Sequence, residues 1–162
     1  MEKGCSFTGH RRIKPGHMKG ISDLIVRAIN YAYDNGCRVF YSGGAIGFDT
    51  LAAREVIRFR IMHPDVRLVL LLPCIAQAAY WSDEQRDSYE FILAEADEIE
   101  YSSDEYTSTC IKDRNERLAE LCDIMICYME RRMSGAGQTV AMATRRGKKI
   151  YNLYPALERA DG

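Results

Sequence analysis

The spacing of apolar residues changes several times along the chain, and each change predicts a new element. "GCSFTG" (4–9) is a short strand ending in glycine. From there Ile21, Leu24, Ile25, Ala28, Ile29 and Ala32 make the i, i+3, i+4, i+7 stripe of a helix, which Asn35-Gly36 closes. "CRVFYS" (37–42) is β-branched and aromatic, hence a strand. A helix is expected from Phe48 to Met62, stopping before Pro64. "VRLVLLLP" (66–73) is a continuous apolar run, which suits a strand buried on both faces of a parallel sheet. Residues 82–96 read as helix with Ser82 as N-cap, and "DEIEYS" (97–102) as a weak strand. A helix over 107–122, a strand over 123–129, a helix over 137–146 and a strand over 148–154 complete the alternation. Residues 155–162, opened by Pro155, read as a frayed tail. Strands alternating with helices predict one α/β domain over 1–162: a Rossmann-like, mostly parallel sheet with helices on both faces.

Composition narrows the function classes. The chain has 22 Lys plus Arg against 23 Asp plus Glu, so no overall positive charge holds a long phosphate backbone. No apolar run approaches the ~20 residues of a membrane span. The N-terminal stretch lacks the apolar core of a signal peptide, so a cytoplasmic protein is expected. Six cysteines without C-x-x-C spacing, several in strand-like or helix-like contexts, predict buried free thiols rather than disulfides. With that spacing and three histidines, no metal and no cofactor are expected.

In a doubly wound sheet, ligands bind beyond the carboxyl ends of the strands. The first strand is followed by Thr8-Gly9-His10-Arg11-Arg12 and the second by Ser42-Gly43-Gly44-Ala45-Ile46-Gly47. The strand over 123–129 is followed by a loop holding Ser134, Gly135, Gly137, Gln138 and Thr139. Glycine-rich turns that open helices expose backbone N–H groups, and the helix dipole adds to them, making an anion site. Arg11 or Arg12 could grip a phosphate bidentately, while Ser42, Ser134 and Thr139 offer hydroxyls. Asp49 could hold a ribose hydroxyl or cap the first helical turn. His10 could meet a phosphate or a base; Trp81, and more weakly Tyr80, could stack on a base or anchor packing. Arg114 and Asn115 read, on pattern alone, as part of a solvated face. Arg145, Arg146, Lys148 and Lys149 close a helix and read as structural.

Five segments in order, "FTGHRR", "SGGAIGFD", "YWSDEQRDSYEFILAEAD", "DRNERLAELCDIMICY" and "SGAGQTVAMA", resemble the YpsA-like branch of the SLOG superfamily. The resemblance covers about residues 5 to 154. That superfamily also holds the LOG phosphoribohydrolases and the DprA-type single-strand DNA binders. The resemblance implies a Rossmann-like sheet and a nucleotide or nucleotide derivative as ligand. Carried over by motif, Gly9, His10 and Arg11 match the first loop, and Ser42, Gly43, Gly44, Gly47 and Asp49 the second. Arg114 and Asn115 match a paired arginine and asparagine, Trp81 and Tyr89 an aromatic segment, and Gly135, Gly137 and Thr139 the last loop. One departure matters: where the LOG pattern keeps its catalytic glutamate, this chain has Met142. A thioether supplies neither proton nor charge. The expectation is therefore a binding protein that senses, carries or sequesters a small nucleotide-derived ligand, with no extended nucleic acid and no membrane as partner. Two alternatives stand beside it: a nucleotide N-glycosidase using another acid such as Asp49 or Glu116, and DprA-like single-strand binding. Pairing through helices into a homo-oligomer is left open.

Overall fold

The computed structural model describes residues 2–161. The strands are β1 (Lys3–Gly9), β2 (Cys37–Ser42), β3 (Arg67–Leu72), β4 (Glu98–Tyr101), β5 (Ile124–Tyr128) and β6 (Lys149–Asn152). The helices are α1 (Ile21–Asp34), α2 (Phe48–Met62), α3 (Asp83–Glu95), α4 (Cys110–Leu121), α5 (Gly135–Arg145) and α6 (Tyr154–Asp161), with a short 3-10 turn at Pro15–His17. All pairings are parallel, in the order β4-β3-β2-β1-β5-β6. The fold is thus the expected α/β, Rossmann-like sheet.

Alternate strand residues feed the two faces. Cys5 and Phe7 of β1, with Ile124, Ile126 and Tyr128 of β5, join the main core, into which α1, α2, α3 and α6 pack. Met125 and the α4 and α5 residues Ala119, Met142 and Ala143 form a core on the opposite face, and Leu118 joins Val39, Val69 and Leu71 there. β3 is buried along nearly its whole length, which is why its sequence is an unbroken apolar run. Ser82 caps α3 in a reciprocal capping box with Gln85. All six cysteines are free and buried; burial pushes Cys127 up to about 12, so it stays a thiol at neutral pH.

The C-terminal segment corrects the sequence expectation. Tyr154–Asp161 is a helix, not a frayed tail. Pro155 lies in its first turn, where a missing N–H costs no intrahelical bond. Leu157 is buried in the main core, and Glu158 meets Lys14 and the hydroxyl of Tyr154. No helix among the described residues is long and apolar enough to cross a membrane.

Candidate functional site

Strand order reverses at β1: β2, β3 and β4 are added on one side, β5 and β6 on the other. The chain leaves the carboxyl ends of β1 and β5 toward opposite faces, and a crevice opens between them. It is a cavity of about 880 Å³, roughly the size of sites that enclose a small organic ligand. Thr8, Gly9 and Asp49 lie on its inner side, and Ser134, Gly135 and Ala136 bring the start of α5 to it.

The β2–α2 loop is shaped by close packing. Gly47 has φ +86°, and a Cβ there would sit 2.2 Å from the Arg11 carbonyl oxygen. Phe48 N–H donates to the His10 carbonyl at 3.3 Å, so this loop is stitched to the one after β1. Ser42 Oγ donates to the Asp49 carbonyl at 2.8 Å and accepts the Gly44 N–H at 3.2 Å. Both glycines and the serine are therefore committed to building the turn that turns Asp49 inward. The Asp49 side chain is buried; Oδ2 accepts the Ala45 N–H at 3.4 Å, and Oδ1 has no hydrogen-bond partner. Burial pushes its carboxyl up to about 6, against the downward pull of Arg114, the Ala45 N–H, Arg11 and the Gly9 amide.

Arg114 reaches this loop from the second turn of α4. Its Nη1 donates to the Gly43 carbonyl, and its Nε donates to Asn115 Oδ1 at 2.9 Å. Both residues are buried, so they do not belong to a solvated face. Gly43 makes room for the guanidinium: a Cβ there would lie 2.6 Å from Arg114 Nη1. No carboxylate oxygen comes within ion-pair distance of Arg114 among the described residues, although Asp49 is near enough for the two charges to attract.

His10 acts as a brace. Its backbone N–H donates to the Tyr128 carbonyl at 3.1 Å. Its Nε2 accepts the amides of Glu130 at 2.8 Å and Arg131 at 3.2 Å. Two donors at Nε2 place the ring proton on Nδ1. Burial, then Arg131, hold the imidazole below its ordinary pKa, so it is neutral at pH 7 and offers a ligand only Nδ1–H. Arg11, Arg12 and Arg131 are exposed, and none is in an ion pair among the described residues. The cavity thus carries four guanidiniums and one carboxyl, although the chain's net charge is -1. At α5, Ser134 Oγ accepts the Gly137 N–H at 3.0 Å, and the Gln138 N–H goes to the Ser134 carbonyl. The amides of Gly135 and Ala136 remain, at the positive end of the helix dipole.

Of the residues expected from sequence, Thr8, Gly9, His10, Arg11 and Arg12 line the crevice, as do Asp49, Arg114, Asn115, Ser134 and Gly135. Ser42, Gly43 and Gly44 lie outside its lining and support Asp49 and Arg114 from behind. Gly47 and Trp81 face a different cavity, of about 430 Å³, where Trp81 packs edge-on against Tyr89 at 5.1 Å. Gly137, Gln138 and Thr139 also stay outside. A Cβ on Gly137 would meet the Arg132 carbonyl at 2.1 Å, and the buried Thr139 hydroxyl donates to the Gly135 carbonyl at 2.9 Å. Glu116 is absent from the lining too, and Met142 packs among Ala119, Cys122, Met125 and Ala143.

Sequence reasoning missed most of one wall. Pro73, Gln77 and Tyr80 after β3, with Tyr106 and Ile111 after β4, form it, and of these only Tyr80 is expected from sequence, as a stacking ring. Tyr80 is fully solvent-exposed at 101% and Tyr106 at 69%. The rule that located the other loops, residues following a strand's carboxyl end, would have found these had it been applied to every strand.

The YpsA family model, described as the YspA SLOG family, matches residues 9–155. A UPF0398 protein of Bacillus thuringiensis (strain Al Hakam) is 23% identical, over 94% of this chain and 88% of the relative. One from Bacillus cereus (strain G9842) is 22% identical over the same shares. Among solved structures, DNA processing protein A (DprA) from Streptococcus pneumoniae superposes with a TM-score of 0.65 at 17% identity, over 92% of this chain and 49% of that one. The chain therefore spans about half of that protein. DNA processing protein A from Helicobacter pylori, for which a single-stranded DNA binding mode is described, gives 0.64 at 18% identity, over 99% of this chain and 74% of that one. These likenesses concern the fold. The family match covers nearly the whole chain and includes the loops that build the crevice: the chain belongs to the YpsA family of SLOG proteins.

Proposed function

We propose that the crevice binds a small nucleotide-derived ligand, and that the protein senses, carries or sequesters it. One observation carries the reading: a single cavity joins an anion site to an aromatic wall at the point where the sheet reverses order. Arg11, Arg12, Arg131 and the α5 amides suit phosphate oxygens. Tyr80 and Tyr106 suit the face of a base, and Asp49 can accept from a sugar hydroxyl. Met142, packed in the core away from the cavity, supports binding over LOG-type cleavage. The cations gather in one cavity instead of a stripe, which favours a small ligand over a DNA strand.

A second reading rests on Asp49. A carboxylate inside the crevice could stabilise the positive charge that develops when an N-glycosidic bond breaks. One set of experiments separates the readings. Calorimetry on the untagged full chain should show nucleoside monophosphates binding more tightly than nucleosides. Arg11→Ala or Arg131→Ala should remove about 1–2 kcal/mol of that difference. Release of free base on long incubation would select the glycosidase. Tighter binding to oligodeoxynucleotides, with steep salt dependence, would select strand binding. No interaction with any nucleotide would refute the site.

A further inference from the structure

Beside Tyr128, whose ring also meets His10, lies a second cluster that the crevice does not use. His17 is wholly buried, in edge-to-face contact with Tyr128 at 5.7 Å and Tyr154 at 4.9 Å. Its Nδ1 is 2.7 Å from the Tyr128 hydroxyl, which also accepts the Lys14 N–H at 3.1 Å. Its Nε2 is buried with no hydrogen-bond partner, and it points toward α6: Glu158 Oε1 stands 3.5 Å away. Ligand atoms of His17, Glu158 and Asp161 all lie within 4.8 Å of one another. Gly16 leaves the room, since a Cβ there would fall 2.2 Å from Asp161 Oδ2.

We propose that His17, Glu158 and Asp161 form a site for a divalent transition-metal ion of the zinc type. When the Nδ1 proton is given to the Tyr128 oxygen, the Nε2 lone pair faces a carboxylate oxygen. Two such atoms repel unless a proton or a metal cation lies between them, and the Asp161 oxygen gathered at the same point suits the metal. An imidazole fixed through its other nitrogen is the usual arrangement of a metal-bound histidine. One imidazole with two carboxylates suits zinc, cobalt or nickel better than magnesium or calcium, which prefer oxygen alone. Ligand bonds of about 2.0–2.2 Å require the three atoms to draw closer than they stand. Glu158 and Asp161 are partly or fully exposed and can rotate inward, whereas His17 is fixed. Lys14 competes, because its ammonium holds Glu158 Oε1. The ion would fasten α6 to the 3-10 turn that precedes α1. The ligands lie at opposite ends of the chain, so no local spacing announces them.

The test is zinc calorimetry and cobalt absorption on the untagged, chelator-treated full chain, with magnesium as control. The expected result is one zinc per chain, a raised melting temperature and no magnesium response. His17→Asn and Asp161→Asn should each weaken zinc about tenfold or more. Lys14→Gln should bind at least as tightly as the native chain. Asp161 is exposed, so its variant keeps the test open if His17→Asn fails to fold. Three results would overturn the proposal: no zinc bound, affinity undiminished in Asp161→Asn, or a cobalt spectrum with the near-ultraviolet thiolate band that would place the ion on cysteines.

Discussion

Asp49→Asn should change how stability depends on pH, by an amount the structure sets. Burial pushes the Asp49 carboxyl from its ordinary 3.8 up to about 6 in the folded chain. Between those values the folded state holds a proton that the unfolded state has lost, so the native protein loses stability as pH rises. The contribution is fully present below the unfolded value and gone above the folded one. That displacement corresponds to about 3 kcal/mol in full, of which about 2 falls between pH 4.5 and pH 8. Asparagine has nearly the same shape and no proton to lose. The constant cost of the amide in place of the acid drops out of the comparison, as do all other titrating groups. Urea unfolding followed by circular dichroism, on both proteins across that range, gives the difference directly. The stability of Asp49→Asn relative to the native chain should climb by about 2 kcal/mol toward pH 8. A difference that stays flat would refute the claim that Asp49 is ionised at a desolvation cost. Saturating nucleotide should reduce the climb, because a hydroxyl donor on Oδ1 favours the charged form.

Tyr80→Ala removes a fully exposed ring, so it should leave the melting temperature unchanged while weakening a nucleoside monophosphate by about 1 kcal/mol in calorimetry. Gly47→Ala should cost about 2 kcal/mol or more in thermal unfolding, because a methyl at φ +86° meets the Arg11 carbonyl. Gly135→Ala, with nothing near its Cβ position, should be close to neutral in the same assay. Met142→Glu buries an acid among Ala119, Cys122 and Met125; it should cost about 3 kcal/mol in urea unfolding and release no adenine from adenosine monophosphate by chromatography.

The strands and most helices were legible because their apolar spacing is unambiguous: the stripe from Ile21 and the run from Val66 admit one reading each. Ser82 announced its own cap. What escaped depends on contacts across the chain. Pro155 reads as a stop, and only Leu157 in the core and Lys14 on Glu158 show that a helix follows it. Arg114 and Asn115 sit in a sequence as charged as any solvent face, and only the family resemblance marked them as site residues. Their burial follows from the Gly43 carbonyl, 71 residues earlier, which nothing local to α4 reveals. The first two loops were found because arginines and glycines carry their chemistry openly. The glycines misled in one respect: Gly47 and Gly137 make room for neighbouring carbonyls, so their positions speak of loop packing. Tyr106 was overlooked because a tyrosine in a loop carries no signal until the sheet order places it beside a crevice, whereas Tyr80 reads from sequence as a weaker stacking ring than Trp81 and lines the crevice where Trp81 does not.

The central position of β1 bears on the order of folding. Cys5 pairs with Phe40 on one side and Ile124 on the other, and the Gly4 amide reaches the Asp123 carboxylate across 119 residues. A chain emerging from the ribosome can assemble β1 through β4 while the second edge of β1 is still bare. The crevice lacks Arg131 and the start of α5 until β5 arrives and closes a very long loop, which is a slow step. During that interval an apolar strand edge stands unpaired, open to association with other chains. A ligand of the crevice cannot relieve this early, because it stabilises only the closed sheet. A circularly permuted chain beginning at β5, running through β6 and α6 and then into β1, would pair both strands of the switch point first.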